Sequence, residues 1–216
     1  HWLNGSNKVV AYDLPSLVSP TLKWERIQTL DIGGDFGFFN NELNISFDWY
    51  QRTTKDMLAP GQTMPDVLGA GAPKINAGTL RTRGWELSID WRHHFNEVNV
   101  YANASIGDFK TVITKWDNDS QLLNENYSGK VYGDIWGFET DRYFTKDDFN
   151  ADGSYKEGIA SQKKLEQDGF VYGPGDIKFK DLNNDKEING GEGTVKDHGD
   201  LKVLGNTTPR YQYGFR

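Results

Sequence analysis

Apolar residues take every second position in several separate stretches of this chain. Leu43, Ile45, Phe47 and Trp49 alternate with Asn44, Ser46, Asp48 and Tyr50. Trp85, Leu87, Ile89 and Trp91 alternate with Glu86, Ser88, Asp90 and Arg92. Val98, Val100, Ala102, Ala104 and Ile106 form a third set, and Leu30, Ile32, Phe36 and Phe38 a looser fourth. Neighbouring side chains of a strand point to opposite faces, so a period of two builds strands with one apolar and one polar face. Strands are expected from about Trp24 to Phe38, Glu42 to Leu58, Lys74 to His94 and Glu97 to Lys115. A last one starts after Pro209, where Tyr211, Tyr213 and Phe215 share a face. Asn7 to Asp13 reads as a short strand, set off by Pro15 and Pro20, which cannot sit in a central ladder.

The links between these strands alternate in length. Asn40-Asn41 and Phe95-Asn96-Glu97 are tight turns, since Asn tolerates the positive φ that hairpins require. Residues 59–73 are a Gly- and Pro-rich external loop, and 116–203 form a much larger one. Short turns at one end and long loops at the other are how a membrane barrel is wired. The expected fold is all-β: a fragment of an antiparallel transmembrane β-barrel with short periplasmic turns and long extracellular loops. Gly78 and Gly84 inside one strand predict bulges or close approach. Trp24, Trp49, Tyr50, Trp85 and Trp91 lie near the ends of apolar stretches, where barrels carry their aromatic girdles.

The same alternation also suits a soluble secreted β-domain for carbohydrate binding or adhesion, with the stripe buried in a sandwich core. The loop asymmetry favours the barrel. With 216 residues and a net charge of −7, the chain has too few cations to neutralise phosphates, so no nucleic-acid partner is expected. No run of about 18 apolar residues is present, which excludes a helical span but not a barrel strand. The absence of Cys removes disulfide and thiol chemistry. The chain opens at His1-Trp2-Leu3 and closes at Phe215-Arg216 as a strand begins. Residues 1–216 are therefore read as a piece of a longer polypeptide.

Within the large loop, Asp181, Asn183, Asp185, Glu187 and Glu192 fall at the oxygen-donor positions of an EF-hand calcium loop spanning 181–192. Lys186 stands where Gly normally makes the sharp turn. A structural Ca²⁺ is expected from the spacing, and a solvated acidic turn is the competing interpretation. Asp147, Asp148, Asn150 and Asp152 read as a helix start capped by Thr145, followed by a turn. Residues 161–168 read as a helical turn or two, closed by Gly169. His93 and His94 are adjacent on a strand and cannot easily chelate one metal. Asp48, Glu86, Asp90 and Arg92 are expected to form a charge-paired wet wall. Paired carboxylates also suit glycoside hydrolysis, but no acid is singled out and no nucleophile or phosphate-binding motif is present, so the chain is not expected to be an enzyme. Tyr127, Tyr132, Trp136, Phe138, Tyr143, Phe144 and Tyr155 either build a small core in the large loop or present aromatic surface to a ligand or partner.

Four blocks carry a resemblance. They are Ser19-Pro20-Thr21-Leu22-Lys23-Trp24-Glu25, running on to Leu30-Asp31-Ile32-Gly33; Phe47 to Leu58 (FDWYQRTTKDML); Asn76 to Leu87 (NAGTLRTRGWEL); and Gly199 to Tyr211 (GDLKVLGNTTPRY). With Gly173-Pro174-Gly175-Asp176-Ile177, they follow the order found in the C-terminal barrel of SusC/RagA-like TonB-dependent outer-membrane transporters, which this chain resembles. The resemblance implies a place in the cell outer membrane, in contact with its lipid, and nutrient import. It further implies a SusD-like surface lipoprotein as partner and oligosaccharide, sometimes peptide, as cargo. Contact with the TonB complex is implied through an N-terminal part that these residues do not include.

Overall fold

A computed structural model describes residues 2–4, 7–9, 17–60 and 72–216. In chain order its strands are β1 (Trp2–Asn4), β2 (Asn7–Val9), β3 (Arg26–Phe38), β4 (Leu43–Pro60), β5 (Lys74–Phe95), β6 (Val98–Lys115), β7 (Asp134–Phe138), β8 (Thr140–Tyr143), β9 (Ile177–Phe179), β10 (Leu201–Asn206) and β11 (Tyr211–Phe215). The central body is a five-stranded antiparallel sheet in the order β11-β6-β5-β4-β3. Three two-stranded pairs stand apart from it: β1-β2, β10-β7 and β8-β9. Residues 10–16 and 61–71 lie outside the description, and with them the C-terminal part of the expected first strand and most of the Gly- and Pro-rich loop.

The turns form where Asn permits them. Phe39, Asn40 and Asn41 all have positive φ, 54°, 54° and 66°, and the Glu42 amide donates to the Phe39 carbonyl. Asn96, at φ 48°, closes the β5-β6 hairpin. These turns set a register that keeps like faces together. Ile32, Trp49, Trp85, Asp108 and Tyr211 lie in one cross-strand row, and Phe36, Ile45, Ile89, Ala104 and Phe215 in another. All the alternating apolar residues thus share one face. They are not covered: Ile32 is 61% exposed, Phe36 55% and Phe38 46%. A sandwich would bury these side chains beneath a second sheet, and among the described residues no second sheet packs on this face.

Gly84 makes the close approach expected of it. The Tyr50 ring lies over it on the polar face, and a Cβ there would sit 2.5 Å from that ring. Tyr50 is therefore turned away from the apolar girdle in which it was expected. Gly78 is likewise covered, by Trp116, and lies where the β4-β5 register shifts. Gly84→Val should displace Tyr50 and cost about 1–3 kcal/mol through overpacking. A urea unfolding midpoint lowered in the variant and recovered in Gly84→Val/Tyr50→Ala checks this.

The large loop folds on itself. Phe144, 2% exposed, packs on Phe149, Tyr155 and Tyr172 with ring centroids 5.1, 5.7 and 6.4 Å away. Ile188 and Gln162 are fully buried. Thr145 caps a short 3-10 turn, Lys146–Asp148, as anticipated. The expected helix at 161–168 reduces to a single 3-10 turn, Lys163–Leu165, because the Ser161 and Ile188 backbones bond side by side and pull the chain extended. Asp168 and Gly169, at φ 54° and 81°, close this segment.

Candidate functional site

The polar face of the sheet is the first candidate surface. Asp48 lies directly across from Glu86, Asn44 from Asp90, and Asp90 from Asn103. Asp31, Asp48, Tyr50, Arg52, Glu86 and Phe109 border one hollow of this face. The charge pairs expected among Asp48, Glu86, Asp90 and Arg92 do not form among the described residues. The register places acid against acid, and Arg92 stacks over the Tyr101 ring, 5.7 Å from its centroid. Asp90 instead accepts hydrogen bonds from the Tyr101 hydroxyl at 2.9 Å and the Asn103 amide at 3.0 Å. The surface therefore offers carboxylates and aromatic rings to water. His93 and His94 face opposite ways as expected: His93 Nδ1 lies 2.6 Å from Glu42 and His94 Nδ1 lies 2.7 Å from Asn99.

The second surface is the large loop, whose shape depends on buried and half-buried polar groups. Arg142 grips Asp148 with two bonds of 2.7 Å. This guanidinium, with help from the Thr145 amide and hydroxyl, holds the Asp148 carboxyl well below the usual range. Glu139 joins β7 to β8 and reaches Lys180 at 2.6 Å and Lys202 at 2.5 Å, linking the β8-β9 and β10-β7 pairs. These ammonium groups lower its carboxyl from the ordinary 4.5 to about 2. A depressed carboxylate contributes stability above its unfolded value, and that contribution disappears as pH falls towards the folded value. The loop should hold its Glu139 ties at pH 5 and lose them between about pH 4.5 and 2. Amide exchange in 177–180 and 201–206 checks this, with Glu139→Gln removing the transition.

Asp200 is fully buried, accepting from the Leu182 amide at 2.7 Å and the Asn189 amide at 2.9 Å. Gln162 donates to the Ile177 carbonyl and accepts from the Phe179 amide at 2.6 Å. Tyr132, Tyr143, Phe170 and Val171 remain exposed, at 54%, 67%, 50% and 67%. The loop aromatics thus divide, Tyr127, Phe144 and Tyr155 turning inward and Tyr132 and Tyr143 outward.

The expected calcium positions lie on one exposed coil. Asp181 accepts from the Asn184 and Lys186 amides at 2.6 and 2.9 Å, Asn183 from Asp185 at 3.0 Å, and Asp185 from Glu187 at 2.8 Å. Lys186 adopts φ 67°, the left-handed turn that Gly would supply. Glu187 pairs with Lys164 at 2.6 Å, and Glu192 is exposed. No three His, Asp or Glu side chains gather to hold a metal among the described residues. Asp147, Asp148, Asn150 and Asp152 hold a cap and a turn, with Asp152 accepting from Ser154 at 2.6 Å.

Residues 4–190 match the family model described as "TonB dependent receptor-like, beta-barrel". The chain belongs to this family. It is 28% identical over 98% of its length to TonB-dependent receptor P3 of Formosa agariphila, of which the match covers 20%. It is also 28% identical over 92% of its length to TonB-dependent receptor SusC of Bacteroides thetaiotaomicron, covering 19% of that protein. The chain thus spans about a fifth of the length of these relatives. Among solved structures, the RagAB peptide transporter aligns over 91% of this chain and 20% of its own, with a TM-score of 0.58 at 21% identity.

This SusC/RagA-like TonB-dependent receptor barrel resides in the outer membrane, and the two faces of its sheet take their names accordingly. The uncovered apolar face meets lipid, and the polar face lines the lumen. No helix among the described residues is long and apolar enough to cross a membrane, which has no bearing on strands. Trp49 opposite Trp85 and Trp91 opposite Leu43 mark the two ends of the lipid stripe. Sequence reasoning missed Asp200, Gln162, Glu139 and Arg142. Only Asp200 carried a signal, through its place in the last family block.

Proposed function

We propose that the full-length protein imports oligosaccharides across the outer membrane with energy relayed by TonB, and that a SusD-like lipoprotein covers its outer mouth. The family is one of transport receptors, which supports a non-enzymatic role for the chain. The observation that carries the cargo reading is the lumen wall. Asp48 and Glu86 stand beside the Tyr50 ring, with Phe109 in the same hollow. Aromatic faces that stack on pyranose rings, next to carboxylates that accept from hydroxyls, suit a neutral glycan. The RagAB neighbour transports peptides, and a peptide cargo is the competing outcome. The exposed Tyr132, Tyr143, Phe170 and Val171 give the lipoprotein aromatic and apolar side chains to bury.

A strain dependent on the full-length gene tests this. Growth on oligosaccharide should require the gene and TonB together, and Tyr50→Ala/Phe109→Ala should slow uptake about tenfold, the loss of roughly one stacking contact. Growth on peptide but not on any glycan would overturn the cargo reading.

The coil at 181–192 is proposed to bind Ca²⁺ as a structural staple, through Asp181, Asn183, Asp185, Glu187 and Glu192. The EF-hand spacing and the left-handed Lys186 support this. Calcium at about 1 mM, the regime of extracellular sites, should raise the melting temperature of the full-length protein. Asp181→Asn/Asp185→Asn should abolish the increase, and an unchanged melting temperature in the wild type contradicts the proposal.

A further inference from the structure

The lipid-facing surface changes to cationic where its apolar stripe ends on the long-loop side. One step outward from Trp49 and Trp85 on this face stand Gln51 and Arg83, with Lys110 across from Arg83. The next step places Thr53 against Arg81, and Lys55 follows on β4, just before the bulge at Asp56. The period of two carries the parity of the apolar stripe to each of these positions. Lys55, Arg83 and Lys110 are exposed, and Arg81 is half-buried.

The nearby acids are already engaged. Asp108 on this face takes both donors of Arg210 at 2.6 and 2.7 Å, and Asp56 takes Arg26 at 2.6 Å. None of the four rim cations forms an ion pair among the described residues. Gln51 accepts the Arg83 Nε proton at 2.7 Å, which orients the guanidinium and leaves its terminal nitrogens free. Among the described residues, the tight-turn end of the same face has no Lys or Arg, and its His93 is met by the Glu42 carboxylate. The two rims of one stripe therefore differ in charge, and the cationic one faces outward.

We propose that this rim seats the phosphate groups of a phosphorylated glycolipid of the outer leaflet. Adjacent strands lie ~5 Å apart and same-face residues ~7 Å apart, so one phosphate at Arg83 also reaches Lys110 or Arg81. Charge-assisted bonds from two such donors hold phosphate well, and Arg provides the planar fork. The apolar stripe directly beneath gives the acyl chains of the same molecule their surface, which a free phosphate would not use. Cations near an anionic headgroup layer strengthen its binding additively.

Native mass spectrometry of the full-length transporter in detergent tests this, with bis-phosphorylated lipid A and its dephosphorylated form as probes. The wild type should favour the bis-phosphorylated form at least about tenfold, the scale of two or more headgroup contacts. Lys55→Gln/Arg81→Gln/Arg83→Gln/Lys110→Gln should erase the preference. A charge-matched variant of the external loop, Lys146→Gln/Lys156→Gln/Lys163→Gln/Lys196→Gln, should keep it. If the quadruple rim variant does not fold, Arg83→Gln alone carries the test, with a preference reduced about threefold. Preference retained in the rim variant, lost equally in the loop variant, or displaced by millimolar inorganic phosphate would each overturn the proposal.

Discussion

Ile89→Arg should destabilise the folded transporter by about 2–4 kcal/mol, while Ser88→Arg, one residue away, should change stability by less than about 1 kcal/mol. Ile89 lies between Ile45 and Ala104, in the middle rows of the stripe. Arg there must either strip its hydration or drag water into hydrocarbon. Ser88 lies across from Ser46 and Ser105 on the lumen face, where a guanidinium keeps its water. The two positions share a strand and a depth and receive the same side chain, so most of their difference reports the medium on each side. Urea unfolding of the full-length protein in lipid vesicles reads both. Equal losses would mean that both faces of β5 meet the same environment.

Asp200→Ala should release the 181–192 coil from its base. The carboxylate satisfies two backbone amides, of Leu182 and Asn189, at a site closed to water. Removing it leaves two part-buried donors without their acceptor, at up to about 1–3 kcal/mol each. Amide exchange at Leu182 and Asn189 should accelerate at least about tenfold, while amides in β4 and β5 stay unchanged. Asp200→Asn, with a single acceptor oxygen, should retain one of the two protections. Unchanged exchange in the Ala variant would show that Ile188 and the Ser161 backbone hold the coil without help.

The central sheet was legible because its signal is local. Alternation at 43–49 and 85–91 states which residues share a face before any partner is known, and Asn41 and Asn96 mark the reversals. Gly84 was readable as a close approach, though Tyr50 as its occupant was not. Alternation carries no register, and register decides which charges meet: Asp48 faces Glu86, and Arg92 finds the Tyr101 ring. The large loop was less legible for the same reason. Asp200 acts on partners 18 and 11 residues away, and Gln162 on partners 15 and 17 away, with no periodicity to announce the pairing. The helix expected at 161–168 gave way to a tertiary strand contact, an override of local propensity by packing.

A single cysteine placed in turn at positions 86 to 91 of the full-length protein, in a background without other cysteines, and spin-labelled in lipid vesicles tests the central claim directly. This chain supplies no cysteine of its own. Labels at 87, 89 and 91 should collide with dissolved oxygen, and those at 86, 88 and 90 with a water-soluble nickel chelate. A uniform response, or the opposite phase, would contradict a sheet with lipid on one side and a water-filled lumen on the other.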